Sequence, residues 1–140
     1  MMKITASSTE SGTSKGSADW FTGDVYIDAL ASPSAPARVM ANLVHFMPGA
    51  RTAWHSHPLG QSLFVTEGIG LVQRRGGPVQ TIRPGDRVRI EPDEEHWHGA
   101  TPTRRMVHLA LNEVDDEHVA AHWGEHVTDE EYSASGAETS

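Results

Sequence analysis

Five of the nine histidines stand at spacings that could do chemistry. His55 and His57 flank Ser56 in the stretch GARTAWHSHPLGQS, and Gln61 follows them. His96 and His98 flank Trp97, and His108 comes after one further turn. In a strand, residues i and i+2 share a face. Each pair therefore puts two imidazoles on one side, and His108 is in phase with Met106, Ala110 and Asn112. A closed barrel would bring these inward positions together. Buried imidazoles without partners are costly. A divalent transition metal relieves that cost, with the Gln61 amide oxygen as a further neutral donor. The competing reading, that one pair faces out along a polar edge, is opposed by the apolar bulk of Trp54, Trp97 and Leu63. Alternation puts Arg51 on the same strand face as His55, where it would orient an anion or make a structural salt bridge.

The other histidines read differently. His45 lies between Val44 and Phe46 with no second ligand near it in sequence. His118, His122 and His126 fall in an acidic tail, and His118 and His122 have the i, i+4 spacing of a helix face.

These residues need elements to hold them. From Val39 onward, short alternating segments are separated by Pro48-Gly49, Pro58-Leu59-Gly60, Gly68, Gly76-Gly77-Pro78, Pro84-Gly85, Asp93 and Pro102. Strands of that length at that spacing predict an all-β antiparallel sandwich or barrel. Phe46, Val44, Leu63, Val65 and Met106 are its pocket-wall candidates. After Glu113 the pattern changes. VDDEHVAAHW reads as a short helix, and Thr128 with Glu131 has the spacing of a capping box at a second. Residues 1–16 read as a flexible Ser/Thr/Gly-rich arm, 17–132 as the domain and 133–140 as a loose tail.

The chain has no cysteine, which excludes thiolate metal sites and disulfides and fits a reducing compartment such as the cytoplasm. Its net charge of -8 argues against nucleic-acid or anionic-membrane partners. No apolar run approaches a membrane span, and the N-terminal stretch lacks the apolar centre of a secretory signal.

The spacing of these residues resembles the two motifs of the cupin superfamily. Gly49, His55, His57, Gln61 and Gly68 match the first, with glutamine where glutamate is usual. Gly85 through DRVRIEPDEE to His96 matches the second, with Asp93 at the usual glycine. ADWFTGDVYID, HWHGATPT and EHVTDEEY narrow the likeness to small single-domain bacterial cupins that include the manganese-dependent hydroxynitrile lyases. The likeness runs from about Gly16 to Tyr132. It implies a cupin barrel, or jelly roll, that forms dimers or tetramers. It implies a metal on His55, His57, Gln61 and His96, with His98 and His108 close by but not ligands. Asn42 stands where a small apolar residue would be expected in the lyases, Asn112 where a longer amide would be, and residues 69–75 depart from the family.

Four neutral donors leave a divalent ion nearly its full charge, which favours binding an oxyanion. Octahedral geometry would leave two positions open. The leading expectation is a lyase on a small cyanohydrin substrate, with manganese as the ion (Fe2+, Ni2+ or Zn2+ as alternatives) and His98 or His108 as base. A dioxygenase using iron, and a cupin that binds a metal or ligand without turnover, are the other readings.

Overall fold

The computed structural model describes residues 1–6 and 12–133. Thirteen strands and one helix follow each other along these residues: β1 Thr13–Lys15, β2 Phe21–Thr22, β3 Val25–Ala31, β4 Val39–Phe46, β5 Arg51–Thr52, β6 His55–Ser56, β7 Gln61–Gly68, β8 Gly70–Arg74, β9 Gln80–Ile82, β10 Arg87–Ile90, β11 His96–Ala100, β12 Met106–Glu113, β13 His122–Trp123 and α1 Asp129–Ser133. The expected all-β architecture is present. Residues 7–11 of the expected arm and 134–140 of the expected tail lie outside the described residues. Thr13–Lys15, also within that arm, pair with β3.

Two antiparallel sheets make the half-barrel. One has the order β1-β3-β4-β12-β7-β10, and the other β13-β6-β11-β5-β2 with β8 and β9 joined through β11. Alternation along each strand sends one set of side chains between the sheets. Val25, Val44, Phe46, Leu63, Val65, Ile90, Met106 and Ala110 of the first sheet meet Phe21, Ile82 and Ala100 of the second there. Burying a side chain of this size stabilises by roughly 1.5–3 kcal/mol. A second cluster, Trp54, Leu71, Trp97, Val127 and Tyr132, lies on the outer face of the second sheet beneath α1.

Two turn positions show why the motif residues stand where they do. Gly68 has φ 77°, and a Cβ there would sit 1.9 Å from the Arg105 carbonyl oxygen, so only glycine lets β7 pass that loop. Asp93, at the position where the family usually has glycine, has φ 62°. Aspartate is among the few side chains that enter this left-handed region readily.

The C-terminal region corrects one expectation. VDDEHVAAHW is not a helix. The Asp115 carboxylate accepts the N–H groups of Glu117 and Val119, each at 2.9 Å. That local capture competes with helical hydrogen bonds. His118 takes φ 63°, and His122–Trp123 then pair with β6 as β13. The i, i+4 face of His118 and His122 therefore does not exist. The capping box does: Thr128 N–H donates to Glu131 Oε1 at 2.9 Å, and Glu131 N–H to Thr128 Oγ1 at 3.0 Å. Among the described residues there is one short helix, within the one or two expected.

Candidate metal centre

Three strands, β6, β11 and β12, and the turn that follows β6 bring the five histidines together. β11 pairs His96 with His55 of β6, and β12 carries His108 beside Val44 of β4 and Val65 of β7. His55, His57, His96, His98 and His108 are all buried, as is Gln61. Ring centroids stand 4.2 Å apart for His55–His96, 4.9 Å for His55–His57 and 4.8 Å for His98–His108. The cavity beside them has a volume of about 510 Å3, within the usual range for a small-molecule site. Its walls are mostly apolar, with Ile27, Val44, Phe46 and Trp123 among them, and Asn42 and Asn112 also line it. Of the wall candidates read from sequence, Val44 and Phe46 line it, whereas Leu63, Val65 and Met106 belong to the core behind.

The imidazoles fall into two groups by what their Nδ1 atoms do. His55 Nδ1 is 2.8 Å from the Ala53 carbonyl oxygen, His57 Nδ1 2.9 Å from that of Ala120, and His96 Nδ1 2.9 Å from that of Glu94. A carbonyl can only accept, so each Nδ1 carries the proton and each Nε2 keeps its lone pair. Metal-ligating histidines are held in this way by their outer partners. His57 Nε2, His96 Nε2 and Gln61 Oε1 are buried without a hydrogen-bond partner. Orphaned acceptors of this kind need an explanation, and a cation supplies one. His98 differs. Its Nδ1 meets His108 Nε2 at 3.0 Å, its backbone N–H donates to Thr52 Oγ1 at 3.2 Å, and its Nε2 is unpartnered.

Burial sets the charge of all five. It lowers His55 well below the ordinary imidazole range, helped by repulsion from His96 and His57. Burial lowers His57 too, against the opposing hydrogen bond to Ala120. His96 and His108 are each pushed down to about 4 by burial, and His98 well below the ordinary value by burial and then by His108. The rings are therefore neutral near pH 7, the state in which imidazole binds a metal or accepts a proton.

The residues read from sequence are thus brought to one place, with one difference in arrangement. The three ligand atoms that lie within 4.8 Å of one another belong to His55, His96 and His98 rather than to His55, His57 and His96. His57 and Gln61 line the same cavity.

Arg51 is elsewhere. It is 4% exposed and points out of the cavity, donating from Nη2 to the Val127 carbonyl oxygen at 2.8 Å and lying 4.5 Å over the Tyr132 ring. The strand is broken between β5 and β6, where Ala53 N–H donates to Trp20 O and Trp54 N–H to Glu125 O. That break slips the alternation by one residue, so Thr52 and His55 face the cavity while Arg51 and Trp54 face α1.

Sequence reading put Thr52 near the site without giving it a role, and missed two contributors. Thr52 lines the cavity and holds the His98 backbone. Ala120 offers a main-chain carbonyl, which no residue type announces. Trp123 stacks on His55 at 4.5 Å and on Trp20 at 5.2 Å, so it fixes the ring plane of His55 from the far side. Its position in an acidic stretch was the available signal.

A sequence profile described as a cupin domain matches residues 42–112. The chain belongs to the cupin family. It is 58% identical over 118 residues to the (R)-mandelonitrile lyase of Granulicella tundricola, covering 84% of this chain and 89% of that one. A crystal structure of a cupin-like protein from Thermotoga maritima superposes with a TM-score of 0.83 at 43% identity, over 90% of this chain and 94% of that one. The polyketide cyclase RemF of Streptomyces resistomycificus shares the fold alone, with a TM-score of 0.63 at 17% identity over 94% and 91% of the two chains. The cupin therefore resembles a hydroxynitrile lyase across most of its length and carries a histidine-based site in the matching barrel.

Proposed function

We propose that this cupin cleaves and forms cyanohydrins, and that the substituent on the reacting carbon is aromatic. The likeness to a mandelonitrile lyase supports the reaction, and the apolar cavity walls support the substituent. The observation that carries the mechanism is the division between pinned and unpinned imidazoles.

We assign His55, His57, Gln61 and His96 as ligands of a divalent ion, manganese first and Fe2+, Ni2+ or Zn2+ as competitors for the same donors. Such an ion supplies Lewis-acid stabilisation of a developing oxyanion. His98 acts as the base. The substrate hydroxyl gives its proton to His98 Nε2, and the His98 Nδ1–H is donated to His108 Nε2. As the C–C bond breaks, its electron pair leaves with the cyanide carbon. That carbon takes the proton back from His98, giving an aldehyde and hydrogen cyanide. His108 is a positioning residue that holds the His98 ring and shares its charge. The reverse sequence forms the cyanohydrin. The absence of cysteine supports a cytoplasmic setting, and the family likeness supports a homo-oligomer.

One observation favours a second reading. The compact trio His55, His96 and His98 is a three-imidazole set, which suits iron and dioxygen. A single experiment separates the two. Chelated protein and protein reloaded with manganese are mixed with mandelonitrile, and benzaldehyde and dissolved oxygen are followed together. The lyase releases benzaldehyde only when reloaded, equally with and without air. Oxygen uptake by iron-loaded protein, with no benzaldehyde from any loading, would replace the first reading by the second.

A further inference from the structure

The walls of the cavity change character with distance from the paired imidazoles. Val44, Phe46 and Ala110 stand beside His98 and His108. Farther along the same strands two carboxamides line the cavity, Asn42 of β4 and Asn112 of β12. Register places them. His108 pairs with Val44, Ala110 with Asn42, and Asn112 with Met40. Asn42 therefore lies one alternation step beyond the level of His108, and Asn112 lies two. One such step along a strand is about 7 Å.

The protein leaves both amides available. Among the described residues the Asn42 side chain has no hydrogen-bond partner. Asn112 Nδ2 meets only Met40 Sδ, at 4.0 Å. The residues paired with Asn42 are Ala29 of β3 and Ala110 of β12, so no large neighbour on the sheet covers it. A ligand that fills an apolar site and leaves such a group unpaired loses affinity. Small-molecule sites use a few polar groups in an apolar wall to fix orientation. An unspent amide at this depth fits a ligand with a polar atom of its own there.

We propose that Asn42 determines specificity at the far end of the substrate, and that the preferred cyanohydrins carry a phenolic hydroxyl para on the aromatic ring. The step of about 7 Å matches the span from a carbinol oxygen, held at His98, across a benzene ring to a para oxygen. A phenolic hydroxyl both donates and accepts, so it can pair with either end of the amide. Asn112, diagonal to Asn42 on the same face, is within reach of the same group. The ring itself rests on Val44, Phe46 and Ala110. This rests on the proposed cleavage of aromatic cyanohydrins and goes beyond it by naming the substituent and the residue that selects it.

The test compares para-hydroxymandelonitrile with para-methylmandelonitrile, which has nearly the same shape and no hydrogen-bonding group. Both are given to the manganese-loaded full chain and to Asn42→Leu. The ratio of the two kcat/KM values is expected to be about 10-fold larger in the native chain than in the variant, the worth of one good hydrogen bond. Comparing ratios cancels the intrinsic electronic difference between the substrates. Asn112→Leu should shrink the ratio less. Circular dichroism and metal content check folding, and Asn42→Ala is the second variant at this position. Calorimetric binding of para-hydroxybenzaldehyde and para-methylbenzaldehyde, with and without metal, reads the same preference in the absence of turnover. A preference in binding that Asn42→Leu abolishes, with no cleavage of either cyanohydrin, overturns the proposed reaction and supports the subsite. Equal binding of the two aldehydes by the native chain, as for an amide that only faces solvent, overturns the subsite. So does a preference that both Asn42 variants keep.

Discussion

His55, His57 and His96 are buried within a few ångströms of His98 and His108, yet the two groups are held by different partners. The first three each spend a proton on a backbone carbonyl, so their Nε2 lone pairs are fixed. The last two are bonded to each other, ring to ring, at 3.0 Å. Neither partner in that bond dictates where the proton sits. A proton that either ring can carry is useful in acid–base chemistry, and a fixed lone pair is useful to a metal. Residue type is identical in the two groups, and what divides them is the partner of Nδ1.

The largest effect expected from breaking this division is at the pinned group. His96→Ala should lose the metal, read by elemental analysis, and lower turnover by more than about 100-fold, since even outer partners of ligands are worth 10–100-fold. Next comes the pH dependence of the metal-free protein. His96 and His108 titrate at about 4 when folded and near 6.5 when unfolded. The unfolded chain therefore binds more protons between those values, so stability falls as pH drops from about 6.5 to 4. The loss should amount to a few kcal/mol in thermal or urea unfolding, and bound metal should enlarge it. A profile flat over that window would mean that these rings are not buried neutral.

A smaller effect tests Arg51, which the break after β5 turns away from the site. Arg51→Ala should cost about 1.5–3 kcal/mol through its lost hydrogen bonds to the Val127 carbonyl, with KM unchanged. A rise in KM at unaltered stability would return Arg51 to an anion-binding role. Smallest is Tyr132→Phe, which removes one hydrogen bond of 2.5 Å to the Ala100 carbonyl and should cost about 1 kcal/mol without touching turnover.

Much of this was legible in the sequence because the relevant signals are local. The i, i+2 histidine pairs, the turn at Pro48-Gly49 and the capping box of Thr128 and Glu131 each act over a few residues. What was not legible depends on longer-range partners. The one-residue slip between Arg51 and His55 arises from hydrogen bonds to Trp20 and Glu125, far away in sequence. The lost helix after Glu113 reflects Asp115 capturing N–H groups that a helix pattern would have used. The carbonyl of Ala120, which pins His57, has no signature in residue type at all.

The division itself is tested most directly by His98→Ala, with metal content and mandelonitrile cleavage measured on one manganese-loaded sample. Full metal occupancy is expected, with turnover reduced by roughly 10²–10⁴-fold, the span that a positioned general base contributes. Loss of metal together with turnover would place His98 among the ligands, as the 4.8 Å trio of His55, His96 and His98 would have it, and would contradict the account.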